Sequence, residues 1–176
     1  MSNKKVSIVS KRADKIQASI TMAITALSNQ LKSEGKDVVG MSAGEPDFDT
    51  PDAIKEAGIK SIHDGKTKYT AASGITELKQ AIVDKLKTDN QLTYDLSQIV
   101  VSSGAKHSIY NALMAVLDDG DEVIVPTPYW VSYPHQINVL GGIPVLVETT
   151  EENKFKLTPD QLREAITHKT KVLILN

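Results

Sequence analysis

The chain has 176 residues, 40% hydrophobic and 24% charged, with a formal net charge of −2, which is typical of a globular protein and argues against a nucleic-acid binder. It contains no cysteine, which excludes disulfides, cysteine-ligated zinc and thiol nucleophiles. The charged start lacks the apolar region of a signal peptide and no apolar run approaches the roughly 20 residues that span a membrane, so we expect a soluble, cytoplasmic α/β protein.

Three helices are predicted in the first half of the chain. Apolar residues recur every three or four positions over 13–34, and Gly35 ends that helix. A loop rich in glycine, aspartate and proline follows, and Thr50 with Pro51 predicts the capped start of a second helix. A third amphipathic helix is expected over 75–88.

Strands and helices alternate in the second half. We predict strands at 98–102, 122–126, 144–148 and 171–175, and helices at 105–117, 130–140 and 159–168. Thr158 and Gln161 have the spacing of a capping box at the start of the last helix. The order indicates a parallel sheet, and its continuous apolar strands suggest that helices cover both faces.

The first strand of this half leads into a loop that could bind phosphate. The sequence "SSGA" (102–105) joins it directly to a helix, and its small residues would let backbone N–H groups approach an anion. Ser103 could donate a hydroxyl and Lys106 a charge. The alternative is a simple helix N-cap, and the spacing matches neither a Walker A motif nor GxGxxG.

The next loop at the same sheet edge is unusually aromatic. The only tryptophan, Trp130, and two of the five tyrosines, Tyr129 and Tyr133, fall within "PTPYWVSYP" (126–134). Trp130 could stack on a flat ring, or it could merely cap the hydrophobic core. A phosphate loop beside a stacking aromatic suggests a phosphorylated aromatic cofactor.

Other polar residues carry weaker signals. The loop around Gly44 could hold a carboxylate through its backbone N–H groups, although a plain turn is the alternative. The acidic stretch "DDGDE" (118–122) is interpreted as a solvated turn. The four histidines, His63, His107, His135 and His168, lack metal-ligand spacing, so no metal site is predicted.

Several ordered motifs together resemble a known family. The segments "SAGEPDF", "KTKYTAASGITELKQAI", "VSSGAKHSIYNALMAVLDDGDEVIVPTPYWVSYP" and "GGIPVLVET" are similar to those of the class I pyridoxal-phosphate-dependent aminotransferases. The resemblance is greatest to the bacterial aspartate aminotransferase subgroup, and it runs from about residue 13 to residue 176.

The resemblance implies a site for pyridoxal 5′-phosphate. Gly104, Ala105 and Lys106 would lie at the cofactor phosphate, with Ser103 close by. Trp130 would stack on the pyridine ring. Tyr69 would reach the phosphate of the neighbouring subunit's cofactor, so a homodimer is expected.

The resemblance also implies substrate contacts. The backbone of Gly44 would bind the α-carboxylate of an amino acid, against the ring of Trp130. Lys106, helped by Ser19 and Thr21, would face the distal carboxylate of a dicarboxylic substrate. Members that also accept prephenate carry a basic residue where this chain has Gln17, a departure that argues against prephenate.

The implied reaction converts L-aspartate, or a related amino acid, and 2-oxoglutarate into oxaloacetate and L-glutamate. In the family, the lysine that forms a Schiff base with the cofactor follows later than any residue of this chain, so we assign no catalytic residue here. We expect the 176 residues alone to be inactive. The alternative is a catalytically inactive fragment that serves in dimerisation or complementation; a generic nucleotide-binding domain is a weaker third interpretation.

The fold implied is the large domain of the pyridoxal-phosphate transferases, a parallel or mixed sheet with flanking helices, truncated after its fourth strand. Residues 1–45 would belong to the small domain and 46–176 to the first half of the large domain. The strand at 98–102 would lie apart from the other three, because strands between them come from the second half. We therefore expect the isolated chain to be poorly stable.

Overall fold

The computed structural model describes residues 8–16, 18, 20–42 and 44–176. They form two compact units. The first contains the described part of residues 1–17 together with Ser102–Asn176, and the second contains Ala18–Val101. Of the residues expected at the site, Gln17 and Ser19 lie outside the described part of the chain.

The first unit is built on a three-stranded parallel sheet. Its strands are β1 (Glu122–Pro126), β2 (Ile143–Val147) and β3 (Thr170–Leu173), in the order β2-β1-β3. Ile124 in the central strand pairs with Val145 on one side and Leu173 on the other. Residues 123–125 of β1 are buried on both faces, as the continuous apolar run predicts for the middle of a parallel sheet.

In the described part of this unit, three α-helices flank the sheet: α4 (Ala105–Val116), α5 (Ser132–Val139) and α6 (Pro159–Ala165). The main core cluster joins α4, α5 and β1 through Leu113, Leu117, Val123, Val125 and Ile137. Burying an aliphatic side chain of this size contributes about 1.5–3 kcal/mol, so this cluster positions α4 and α5 against the sheet.

Two polar features fix the ends of these elements. The predicted capping box at α6 is confirmed: Thr158 Oγ1 accepts from the Gln161 N–H at 3.2 Å, and Gln161 Oε1 accepts from the Thr158 N–H at 3.0 Å. Lys171 at the start of β3 forms ion pairs with Asp121 at 2.8 Å and Asp118 at 3.3 Å. These bonds raise the pKa of Lys171, and its ammonium lowers the pKa of Asp121.

The second unit is helical in its described part. It contains α1 (Ile20–Ser33), α2 (Asp52–His63), α3 (Thr76–Asn90) and a 3-10 turn at Leu96–Gln98. One face of α1 and the segment 38–42 line an apolar groove, at the base of which Ser28 is buried. No helix in the described residues is long and apolar enough to cross a membrane.

The strand predicted at 98–102 is wrong. Residues 99–101 pair with no strand in the described chain, so the sheet consists of β1, β2 and β3. Residues 98–102 thus form no strand, although they stay unpaired with the other three strands, as expected. The Val101 N–H bonds to the Ser73 carbonyl at 3.0 Å instead, and Val100 is 65% exposed. An apolar run becomes a strand only when a neighbouring strand accepts its backbone hydrogen bonds.

Some helix boundaries also differ from the predictions. The helix expected from residue 13 begins at Ile20, after a 3-10 turn at Ala13–Lys15, and the helix expected to reach 168 ends at Ala165. Thr50 does not cap α2: Pro51 is the N-cap residue, and its carbonyl accepts the Ile54 and Lys55 N–H groups. Pro51 therefore lies one position earlier than predicted.

Candidate cofactor and substrate site

The carboxyl ends of the three parallel strands share one edge, where open α/β sheets bind ligands. The loop that leaves β1 is anchored there by Thr149, which is buried. The Thr149 hydroxyl donates to the Thr127 carbonyl, and the Thr127 hydroxyl accepts from the Thr149 N–H at 3.2 Å. The loop therefore leaves the sheet along a fixed path, through a cis Thr127–Pro128 peptide.

A pocket of about 260 Å³ opens at this edge. It is lined by the end of β1 and the start of its loop (126–128), by residues 155–157, and by Leu175 and Asn176 after β3. The ends of two neighbouring strands thus contribute to one concave surface, as the topology requires.

The turn into α4 has the geometry of an anion-binding loop. Gly104 is the N-cap residue, with φ 85° and ψ 165°, a conformation that essentially only glycine adopts. A Cβ atom there would meet nothing within 4 Å, so the space beside the turn is open. In the described residues no hydrogen bond engages the N–H groups of Ala105 and Lys106, which belong to the first helical turn.

One contact in this turn involves a histidine that was not predicted to take part. The Ser103 N–H donates to His107 Nδ1 at 3.1 Å, within the first turn of α4. The Ser103 backbone is therefore engaged, and only its hydroxyl is available to an anion. Ser103 and His107 are four residues apart at the start of a helix, and this spacing is the only local signal for the contact.

Trp130 lies beside this turn. The Lys106 ammonium is 5.3 Å from the centroid of the Trp130 ring, a cation–π arrangement, and residue Trp130 as a whole is 42% exposed. Tyr129 and Tyr133, its neighbours in the aromatic loop, pack against the core instead. The two tyrosines therefore cover the hydrophobic core, which was the alternative role considered for Trp130.

Helix α5 makes two further polar contacts that sequence reasoning missed. Gln136 Nε2 donates to the Lys106 carbonyl at 2.9 Å, which links α5 to the first turn of α4. Tyr133 donates its hydroxyl to Asn176 Oδ1 at 3.1 Å, which links α5 to the segment after β3. Both contacts join residues 30 or more positions apart, so no local sequence pattern predicts them.

The remaining predicted residues lie in the second unit. Thr21 is half-buried in the first turn of α1, and its carbonyl accepts the Thr25 hydroxyl at 2.8 Å. That hydroxyl is also 2.9 Å from the Ser42 hydroxyl, which holds the chain shortly before Gly44 against α1. Gly44 is exposed, with open space around its Cα, and Tyr69 is fully exposed.

The turn before α4 and the neighbouring Trp130 ring, both in the first unit, have the chemistry to bind an anionic group attached to a flat ring. Two backbone N–H groups at a helix N-terminus, a serine hydroxyl and an ammonium are donors suited to a phosphate. The half-exposed indole of Trp130 offers an apolar face to an aromatic ring. The structure brings Gly104, Ala105, Lys106 and Trp130 together in this unit.

The fold is that of a parallel α/β protein whose three strands end at one edge of the sheet. Residues 36–176 match the family model of the class I and II aminotransferases, and the chain belongs to that family.

Individual relatives are aspartate aminotransferases. The chain is 51% identical over 168 residues to the aspartate aminotransferase of Bacillus subtilis (strain 168), covering 96% of this chain and 43% of that protein. It is 50% identical over 168 residues to an aspartate/prephenate aminotransferase of Nitrosomonas europaea, covering 96% and 42%. A solved structure of Thermus thermophilus aspartate aminotransferase with maleate is similar, with a TM-score of 0.92 and 42% identity, over 97% of this chain and 44% of that one. The chain thus spans less than half the length of these relatives.

Proposed function

We propose that the gene product carrying this chain is a pyridoxal-phosphate-dependent aminotransferase that converts L-aspartate, or a related amino acid, and 2-oxoglutarate into oxaloacetate and L-glutamate. The observation that carries the proposal is the open turn at Gly104 beside the Trp130 ring, with Lys106 at that ring. The names of the relatives, at about half identity, support the same reaction.

In this proposal the first unit binds the cofactor. The N–H groups of Ala105 and Lys106 and the Ser103 hydroxyl bind the phosphate, and Gly104 leaves room for it. Trp130 stacks on the ring and excludes water from one of its faces. When bound, pyridoxal phosphate supplies an electron sink for the negative charge that develops on the amino-acid α-carbon.

The substrate contacts in this proposal follow from the family resemblance, and each is assigned within its own unit. In the first unit, Trp130 contacts the substrate and the Lys106 ammonium attracts a distal carboxylate, which favours dicarboxylic substrates. In the second unit, the backbone of Gly44 binds the α-carboxylate, and Thr21 is a further residue that the resemblance assigns to the substrate, as is Ser19. The Thermus thermophilus relative, solved with the dicarboxylate maleate, supports the preference for dicarboxylic substrates. Gln17 supplies no positive charge, which argues against prephenate, whereas the names of relatives such as the Nitrosomonas europaea aspartate/prephenate aminotransferase keep it as an alternative substrate.

The family resemblance extends the proposal to assembly and domains. Tyr69 is fully exposed, as expected of a side chain that reaches the cofactor phosphate of a neighbouring subunit in a homodimer. Residues 1–45 would belong to the small domain and 46–176 to the cofactor-binding large domain. A cytoplasmic location completes the proposal.

We propose also that residues 1–176 alone do not catalyse transamination. None of the lysines in them has the sequence context of the family's cofactor-linked lysine. Proton transfer between the α-carbon and the cofactor requires that amine. Residues 1–176 would then bind the cofactor phosphate and ring without supplying the proton carrier.

The test uses the gene product isolated from its natural source. Its intact mass is measured, and L-aspartate is then added to the protein with pyridoxal phosphate while absorbance is followed; a parallel sample is reduced with borohydride. An aspartate-dependent absorbance change and an adduct on one lysine support the enzyme. No absorbance change and no specific adduct would leave the non-catalytic role in dimerisation or complementation. Tight binding of an adenine nucleotide would instead favour a nucleotide-binding domain.

A further inference from the structure

We infer that Gln136 is a positioning residue, which sets the distance between the phosphate-binding turn of α4 and the ring of Trp130. The inference rests on the proposed cofactor site and assigns a role to a residue that does not itself contact the ligand. It starts from the 2.9 Å hydrogen bond that Gln136 Nε2 donates to the Lys106 carbonyl.

The bond connects the two halves of the proposed site. Lys106 lies in the first turn of α4, where the free N–H groups are. Trp130 lies just before α5, and its carbonyl accepts the Tyr133 N–H at 3.0 Å, so the Trp130 backbone is fixed at the start of that helix. Gln136 is one turn further along α5, and its amide bridges from that helix to the turn of α4.

The orientation of the Gln136 amide is fixed. Only its NH₂ group can face the Lys106 carbonyl, since two carbonyl oxygens would repel each other. Its Oε1 atom is then shielded from solvent and has no hydrogen-bond partner in the described chain. An unpaired buried carbonyl costs stability, so this glutamine does not owe its place to stability alone.

A ligand that carries both a phosphate and a ring must contact the turn of α4 and Trp130 at the same time, whereas inorganic phosphate contacts only the turn. If α4 is held less firmly against α5, binding of the ligand with both groups is therefore weakened more than binding of inorganic phosphate. Methionine has the length of glutamine but no donor, so Gln136→Met removes the bond while filling the space. It also removes the unpaired carbonyl, so the melting temperature should stay level or rise.

The experiment compares two ligands on the gene product carrying this chain. The first is pyridoxine 5′-phosphate, which has the phosphate and the ring but no aldehyde and so forms no covalent bond with lysine. The second is inorganic phosphate. Dissociation constants are measured by equilibrium dialysis, and melting temperatures by calorimetry.

Gln136→Met should raise the dissociation constant of pyridoxine phosphate about tenfold and that of inorganic phosphate by less than about twofold. The matched control is Gln161→Met, because Gln161 Nε2 also donates to a backbone carbonyl, that of Glu148 at 2.8 Å, and belongs to the capping box of α6. The control should lower the melting temperature and leave the ratio of the two constants unchanged.

Three results would overturn the inference. Unchanged binding of both ligands by Gln136→Met would show that the bond sets no distance. Equal losses for both ligands, with a lower melting temperature, would show a merely structural role. Failure of the unsubstituted protein to bind pyridoxine phosphate would overturn the proposed cofactor site as well, which distinguishes that failure from the first two.

Discussion

Replacing Gly104 by alanine tests the phosphate turn most sharply. The residue has φ 85° and ψ 165°, and a Cβ atom would meet nothing within 4 Å. The substitution therefore introduces no steric clash with the surroundings. Its whole cost is the backbone strain of holding an L-residue in a conformation reserved for glycine, about 1–3 kcal/mol.

We expect the chain to relieve part of this strain by changing φ of residue 104, and to lose the remainder as stability. The change in φ would turn the N–H groups that start α4 relative to Ser103, because residue 104 joins the two. A change of about 1.4 kcal/mol in binding free energy corresponds to a tenfold change in affinity. We therefore expect Gly104→Ala to raise the dissociation constant of pyridoxine 5′-phosphate about tenfold or more.

Gly120→Ala is the matched control. Gly120 also has positive φ, 89°, with nothing within 4 Å of a Cβ atom, but it lies between α4 and β1. Binding is measured by equilibrium dialysis, and stability by urea unfolding. Both variants should lose stability, and only Gly104→Ala should lose affinity. Equal affinities for the two variants would refute the assignment of the turn as the phosphate site.

Three further predictions concern the core, an ion pair and specificity. Ile137 is fully buried, so Ile137→Ala should cost about 2–5 kcal/mol in urea unfolding, whereas Val131→Ala at a 46% exposed position should cost less than about 1 kcal/mol; equal costs would contradict the described core. The Lys171 ammonium lowers the pKa of Asp121, so this pair stabilises the fold above the ordinary carboxyl pKa of about 3.9 and stops doing so as pH falls through the lower folded value. Asp121→Asn should therefore lower the melting temperature at pH 7 and not at about pH 2, and an equal decrease at both values would contradict the pairing. Lys106→Met should raise the KM for L-aspartate about tenfold more than the KM for an amino acid with an uncharged side chain, measured in steady state; equal increases would contradict a distal-carboxylate role.

Elements whose signals are local were predictable from the sequence. The strand at Glu122–Pro126 was placed without error, because a continuous apolar run between turn residues is typical of a central parallel strand. The capping box of α6 was likewise predictable, since its two partners are three residues apart. Helix α4 begins where "SSGA" ends, as the small residues before it indicated.

Features that depend on distant partners were not predictable. The apolar run at 98–102 looks like a strand, but strand formation needs a neighbour, and none pairs with it in the described chain. The Gln136–Lys106 and Tyr133–Asn176 contacts join side chains that only the folded sheet edge brings together. Sequence reasoning could name Lys106 and Trp130 as site residues, but not the helix that links them.

The most direct test of the central claim is a crystal structure of the gene product with pyridoxal phosphate. Our account predicts the phosphate within hydrogen-bonding distance of the Ala105 and Lys106 N–H groups, and the pyridine ring stacked on Trp130. Density for the phosphate at another place, or a ring that does not contact Trp130, would contradict it.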